Sequence, residues 1–370
     1  MHTEKMTIRV PGKLMIAGEF AVLEPDEHCL VMAVDRYIFA EIQASDENRV
    51  SLLDLGLNDI TFSWENGNIV LHIEDMRKKF VEQAMTIAYR YLDEKGVSLP
   101  PVRLSIRSEL KDESGVKYGL GSSAAVTTAA VTAILNYFLK EEADKELIFK
   151  LASLTHVIIQ GNGSGADIAA SCFCGLIQYS SFQAEWLLKA WSDSKSIHDL
   201  IEKNWLYLSI KPIPIPNNIL FCVGWTKKAA STGKLVDQVL KLKKANPERF
   251  ALFLYQSRNA VKKMADGVEQ GNLPLLMEGT KENRKALARL GKDAGADIET
   301  PLLKTLSDIA EKYGGAGKPS GAGGGDCGIS FMPSKEAQEN LYKAWMQEGI
   351  RPLILQPDIR GVCAINDEIK

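Results

Sequence analysis

Tyr118-Gly-Leu-Gly-Ser-Ser-Ala-Ala-Val126 constrains this chain more than any other stretch. Two glycines permit a tight turn, and the residues after them are good helix formers. A glycine-rich turn that opens a helix leaves several backbone N–H groups free at the positive end of the helix dipole. Such a turn is a cradle for phosphate or another anion. The chain has no G-x-x-x-x-G-K-[ST], so any nucleotide phosphate must be held without a P-loop. The plainer reading is a tight turn with Ser122 or Ser123 as the helix cap. Two adjacent serines exceed what a cap needs, and a second hydroxyl could ligate Mg²⁺. Lys111 and Lys117 flank the turn and suit an anionic ligand.

Length sets the scale. At 370 residues the chain has room for two domains and for a core that needs no disulfide or structural metal. Apolar residues at 45% and charged residues at 25% are ordinary for a soluble globular protein. A net charge of −3 gives no global attraction to nucleic acid or to an anionic membrane. The six cysteines form no C-x-x-C pair, and Cys172 and Cys174, the one close pair, have no histidine near enough to complete a zinc site. They read as reduced, mostly buried thiols of a cytoplasmic protein. The charged N-terminus lacks the apolar core of a secretory signal. No run of 18 consecutive apolar residues suggests a membrane span.

Periodicity predicts strands over 6–10, 13–17, 30–42, 50–57, 60–64, 68–72, 102–108, 175–179, 218–225, 329–332 and 352–356. Helices are expected over 78–94, 123–139, 145–159, 166–173, 231–242, 248–269, 273–290, 300–312 and 335–348. Lys211-Pro-Ile-Pro-Ile-Pro216 suits neither a helix nor a central strand and marks the expected boundary, giving domains 1–210 and 211–370. Strands first and helices mixed in later point to two α/β (α+β) domains with largely antiparallel sheets.

Two further constellations resemble ligand loops. Pro11-Gly-Lys-Leu-Met-Ile-Ala-Gly-Glu-Phe-Ala-Val22 sets Lys13 between a turn and an apolar strand. There it is either a snorkelling lysine or an ammonium held at a fixed place. Lys318-Pro-Ser-Gly-Ala-Gly-Gly-Gly-Asp-Cys-Gly328 belongs to a segment with eight glycines in the fifteen residues 314–328. Such a loop is either a linker or a backbone meant to approach a ligand closely. It does not match the G-x-G-x-x-G that follows a strand in dinucleotide-binding folds, so a nicotinamide enzyme is disfavoured.

In this order and at this spacing, PGK-x4-GE, GLGSSAA and SGAGGGD resemble the three motifs of the GHMP kinases over about residues 10–331. Gly18-Glu-Phe-Ala-Val-Leu-Glu-Pro25, Gly161-Asn-Gly-Ser-Gly-Ala-Asp167 and the segment at Ser231 and Thr232 look like the phosphomevalonate kinase branch. The resemblance implies a two-domain GHMP kinase fold. An N-terminal domain like ribosomal protein S5 domain 2 would precede a ferredoxin-like C-terminal domain. It also implies transfer of the γ-phosphoryl of ATP to (R)-5-phosphomevalonate, giving the diphosphate and ADP in isoprenoid biosynthesis. The cofactors would be ATP and Mg²⁺.

In that reading Lys13 and Asp167 are catalytic. Lys117, Gly119, Leu120, Gly121, Ser122, Ser123 and Ala124 hold the nucleotide, with Ser122 and Ser123 also placed for the metal. Ser164, Ser231, Thr232, Ser320, Gly321, Ala322 and Gly323 meet the acceptor. Lys227, Lys228 and Lys234 could add positive charge or form a solvated face. Trp64 and Asn58 lie where the family often places the adenine. The alternatives are a mevalonate kinase and a non-catalytic family member; the presence of both Lys13 and Asp167 disfavours the second. Monomer and homodimer both remain open, with no nucleic-acid or membrane partner expected.

The acceptor's chemistry bears on Asp167. A phosphomonoester loses its second proton near pH 6, so its oxygen is already anionic at neutral pH. Asp167 is therefore expected to orient Lys13 and the acceptor rather than abstract a proton.

Overall fold

The computed structural model describes residues 5–216, 218–228 and 232–365. Its first half is built from β1 (Met6–Ala17), β2 (His28–Ala44), β3 (Arg49–Leu52), β4 (Leu57–Glu65), β5 (Asn68–Leu71), α1 (Lys79–Glu94) and β6 (Val102–Ser108). Then follow α2 (Ser122–Leu139), α3 (Lys145–Gln160), α4 (Ala166–Phe173), β7 (Leu176–Ser180), α5 (Ala184–Asp193), α6 (Ile197–Glu202) and β8 (Ser209–Ile213). The second half comprises β9 (Leu220–Trp225), α7 (Thr232–Ala245), α8 (Pro247–Glu269), α9 (Leu273–Ala294), α10 (Pro301–Lys312) and β10 (Ala316–Pro319). It closes with β11 (Cys327–Met332), α11 (Lys335–Gln347), β12 (Arg351–Leu353) and β13 (Cys363–Ile365).

Two sheets result, one of nine strands and one of four ordered β10-β11-β9-β12. The pairing is antiparallel except between β3 and β6. The large sheet forks at β2: residues 28–32 pair with β7 and residues 38–44 with β6. Between Pro11 and Gly12 the β1–β2 register slips, a bulge that re-aims β1 just before Lys13.

α2 is long and apolar enough by composition to cross a membrane, yet 72% of it is buried inside the protein. It is the core helix, with Ala124, Ala125, Ala129, Ala130 and Ala133 inaccessible. Small side chains let α1, α3 and the sheet approach its axis closely. The two halves also share packing. Phe20 and Ala21, just after β1, join a cluster with Leu235, Val239, Phe250 and Leu287 of α7, α8 and α9.

The structure departs from the sequence-based expectations in several places. The strand expected over 50–57 breaks after Leu52, because Leu53–Leu55 makes a 3₁₀ turn closed by Gly56 in the left-handed region. Lys211–Ile213 belongs to β8, an edge strand pairing only with β7, where the missing N–H of Pro212 costs no ladder bond. The expected boundary at residue 210 thus falls within β8. Part of the glycine-dense segment is strand, as β10. The helices α5 and α6 were not anticipated. Nor was β13, which pairs with β1 and returns the chain to the first sheet.

Candidate active site

A cavity of about 560 Å³ lies between the two halves. Its floor is the turn before α2. Gly121 caps that helix in the left-handed conformation (φ 76°) without a side-chain hydrogen bond. No side chain of the cap therefore occupies the N–H groups of the first turn. Leu120 is fully buried and anchors the turn, while its carbonyl accepts from Lys13 N at 2.9 Å. This bond ties the β1 bulge to the loop and sets where the Lys13 side chain starts.

Two close approaches explain the glycines. A methyl on Gly121 would lie 2.9 Å from Lys13 Cγ, so the lysine stem runs directly over the helix entry. A methyl on Gly119 would lie 2.6 Å from Asp326 Cβ, so the third motif touches the second here. Bracing comes from the second half: Cys327 Sγ donates to Tyr118 O at 3.1 Å, and Trp225 packs edge-on against Tyr118 at 4.9 Å.

Asp167 sits in the first turn of α4, whose cap, Gly165, is also left-handed and unassisted by a side chain. Its Oδ1 accepts from the Ile168 amide at 3.2 Å. Lys13 and Asp167 both line the cavity, and both act on the buried Cys29 behind it. Burial, then Glu19 and Asp167, push that thiol well up, while Lys13 pulls it down. The lysine and the aspartate therefore border the same cavity.

Lys117, Gly119, Gly121, Ser122, Ser123, Ser164, Thr232, Gly321 and Ala322 also line the cavity. Ala124 is fully buried and does not line the cavity. Ser320 Oγ donates to Met15 O at 2.8 Å, which pins the third loop to β1 and takes that hydroxyl out of the cavity wall. Gly323 is turned against the Ile298 carbonyl, again away from the cavity. Ser231 lies outside the described residues.

The cation inventory is smaller than expected. Among the described residues, Lys13 and Lys117 line the cavity. Lys111 instead reaches the Asp54 carbonyl at 3.3 Å. Lys227, Lys228 and Lys234 are exposed, and Lys227 joins Arg351 at a separate concavity. Trp64 packs on Tyr89 with ring centroids 5.5 Å apart and does not line the cavity.

Five polar lining side chains had no role assigned from sequence: Glu19, His156, Gln160, Asn162 and Asp326. Glu19 pairs with Lys318 of β10, both almost inaccessible, and Lys318 also donates to Pro319 O at 2.6 Å. Burial lowers the Lys318 pKa and Glu19 opposes that shift. The pair joins the first motif to the third. Glu19 and Asp326 fall inside quoted motifs, but the spatial partner of each is remote in sequence.

The chain matches the family model for the GHMP kinase N-terminal domain over residues 79–175 and the model for the C-terminal domain over residues 264–351. The chain belongs to the GHMP kinase family. Among individual proteins, it is 33% identical to a phosphomevalonate kinase from Streptomyces sp. strain CL190, over 98% of this chain and all of that one. A solved Streptococcus pneumoniae phosphomevalonate kinase, in complex with phosphomevalonate and AMPPNP, superposes with a TM-score of 0.81. Identity there is 30%, with 95% of this chain and 99% of that chain covered. A mevalonate kinase from Pyrococcus furiosus is 26% identical over 97% of this chain and 98% of its own.

Proposed function

We propose that this protein is a phosphomevalonate kinase, transferring the γ-phosphoryl of ATP to (R)-5-phosphomevalonate and releasing ADP and the diphosphate. The observation that carries this reading is full-length kinship to phosphomevalonate kinases, combined with one cavity that gathers Lys13, Asp167 and the open entry of α2.

Phosphoryl transfer needs little covalent help from a protein; it needs alignment and positive charge around the equatorial oxygens. The amides of Ser122, Ser123 and Ala124 would receive the β- and γ-phosphates, with Lys117 at the loop's edge. Lys13, lying over the helix entry, would neutralise the moving group. Ser164, Thr232, Gly321 and Ala322 would bound the acceptor. Ser320 and Gly323 would serve by holding the third loop in place.

The acceptor phosphate is dianionic above about pH 6. Asp167 then has no proton to remove, and its task is to hold Lys13 and the acceptor in line. Asp167→Asn tests this: activity at pH 8 should survive within about a hundredfold if the role is orientation. A collapse of several orders of magnitude with Lys13 undisplaced would assign a general base instead.

Among the described residues, no group of three or more His, Cys, Asp or Glu could hold a metal ion. The hydroxyls of Ser122 and Ser123 at the cavity floor fit an ion that arrives with the nucleotide and keeps its waters and phosphate oxygens. When bound, Mg²⁺ supplies charge neutralisation at the β- and γ-oxygens. Six unpaired cysteines support a reducing, cytoplasmic setting. The deciding experiment is a coupled ADP assay offering 5-phosphomevalonate and mevalonate in parallel. Turnover with the phosphorylated acid alone is expected; turnover with mevalonate alone would overturn the assignment.

A further inference from the structure

His156 lies in the last turns of α3, and its side chain reaches the cavity wall. Only 7% of the residue is accessible. One side of its ring rests on Phe80 of α1, with centroids 5.0 Å apart and the planes tilted by 39°. Its Nε2 is buried and has no hydrogen-bond partner in the protein. A buried ring nitrogen left unpaired costs free energy, and buried polar atoms are normally satisfied. Because the residue itself borders the cavity, a small shift of its side chain on ligand binding would bring this nitrogen a partner.

The surroundings indicate the kind of bond. Burial disfavours the imidazolium, while the Asp167 carboxylate favours it. Burial is the larger effect, so the neutral ring prevails at neutral pH. A neutral imidazole has one N–H to offer. The cavity it faces collects Lys13, Lys117 and the amides of the α2 entry, all suited to an anion with several oxygens. A histidine held against an aromatic face has little rotational freedom, so its donor direction is set before the ligand arrives.

We propose that His156 is a ligand-binding residue, donating its Nε2–H to a phosphate oxygen of a molecule bound in this cavity. The inference rests on the reading of the cavity as a phosphate site, but not on which acceptor is phosphorylated. Two phosphates could receive the bond: the triphosphate of the nucleotide or the phosphate of the acceptor.

The test compares His156→Phe, which keeps a ring against Phe80 and deletes the donor, with His156→Gln, which keeps a donor amide. Dissociation constants are measured by calorimetry for AMPPNP and for 5-phosphomevalonate separately. His156→Phe should weaken one of the two by about tenfold, a typical loss for a hydrogen bond to a charged group, and His156→Gln should restore most of it. The ligand that responds identifies the phosphate. In the wild-type protein, the ¹⁵N resonance of His156 Nε2 should carry a proton and shift when that same ligand is added. Unchanged affinity for both ligands in a folded His156→Phe variant would overturn the proposal. So would an unprotonated or unresponsive Nε2 in the wild type, a measurement that needs no variant to fold. If the ADP assay fails with 5-phosphomevalonate while AMPPNP binding still depends on His156, the reaction assignment falls and this one stands.

Discussion

The helices of this protein begin in two different ways. Most of those that start away from the cavity carry a side-chain cap, α1 and α5 excepted: Asp144 on α3, Ser196 on α6, Asn246 on α8, Asn272 on α9, Thr300 on α10 and Ser334 on α11 each accept from an amide of the first turn. The two that open beside Lys13 and Asp167, α2 and α4, start instead on Gly121 and Gly165 in the left-handed conformation, with no side-chain cap. A capping side chain satisfies an orphan amide within the protein. At α2 a glycine leaves it for something else, and Gly121 also clears the room that the Lys13 stem occupies; at α4, Ser164 Oγ accepts from the Ala166 amide and Asp167 Oδ1 from the Ile168 amide. The contrast sets the entry of α2, beside the cavity, apart from helix ends that a side chain caps.

The strongest way to break this comparison is at the charge over the open entry. Lys13→Met should lower kcat/KM by roughly 10³-fold or more, as removal of a cation from a phosphoryl-transfer site does. Steady-state kinetics checks this, with the melting temperature as a control for folding. Next comes the buried pair behind the site. Lys318→Met leaves Glu19 charged and alone in the interior, which should destabilise the protein by about 3–5 kcal/mol in denaturant unfolding. Stability within 1 kcal/mol of wild type would mean that the two motifs are held together by other contacts.

Gly119→Ala tests the open entry by geometry. The added methyl meets Asp326, and the residue sits at a φ of 82°. The turn must shift, and a displacement of about 1 Å should cost about a hundredfold in kcat/KM. Asp144→Ala is the counterpart at a capped helix. It should cost about 1 kcal/mol of stability and leave the KM for ATP unchanged. A changed KM there would blur the distinction between the two kinds of helix start.

The smallest expected effect concerns pH. Burial holds the His156 pKa in the folded protein below its ordinary value. Below about pH 6.5 the unfolded chain takes up a proton that the folded chain refuses, so stability falls as pH drops through that range. Between pH 7 and 5.5 the ligand-free wild type should lose about 1–2 °C more in Tm than His156→Gln. Parallel curves would mean that the ring titrates normally.

How much of this could be read in advance depended on distance along the chain. The glycine-opened entry of α2 was legible because it is written in a few neighbouring residues: two glycines, two serines and a helix former. Val102–Ser108 and Ala166–Phe173 were legible because short periodic patterns specify them locally. Lys318 and Glu19 stand 299 residues apart, and no local pattern links them. His156 looked like one more residue on an amphipathic helix, because its meaning comes from Phe80 and from the cavity. For Lys227, Lys228 and Lys234 the sequence left added charge and a solvated face both open; all three are exposed, with Lys227 at another concavity. The strand β13 was missed because three residues carry no periodicity, and only the exposed edge of β1 gives them a place.

The central claim is that the unoccupied amides at the start of α2 hold the nucleotide phosphates. A crystal structure with AMPPNP tests it directly. The account predicts β- and γ-phosphate oxygens within about 3 Å of the backbone nitrogens of Ser122, Ser123 and Ala124. An ordered nucleotide whose phosphates lie elsewhere, with those amides facing only solvent, would contradict it.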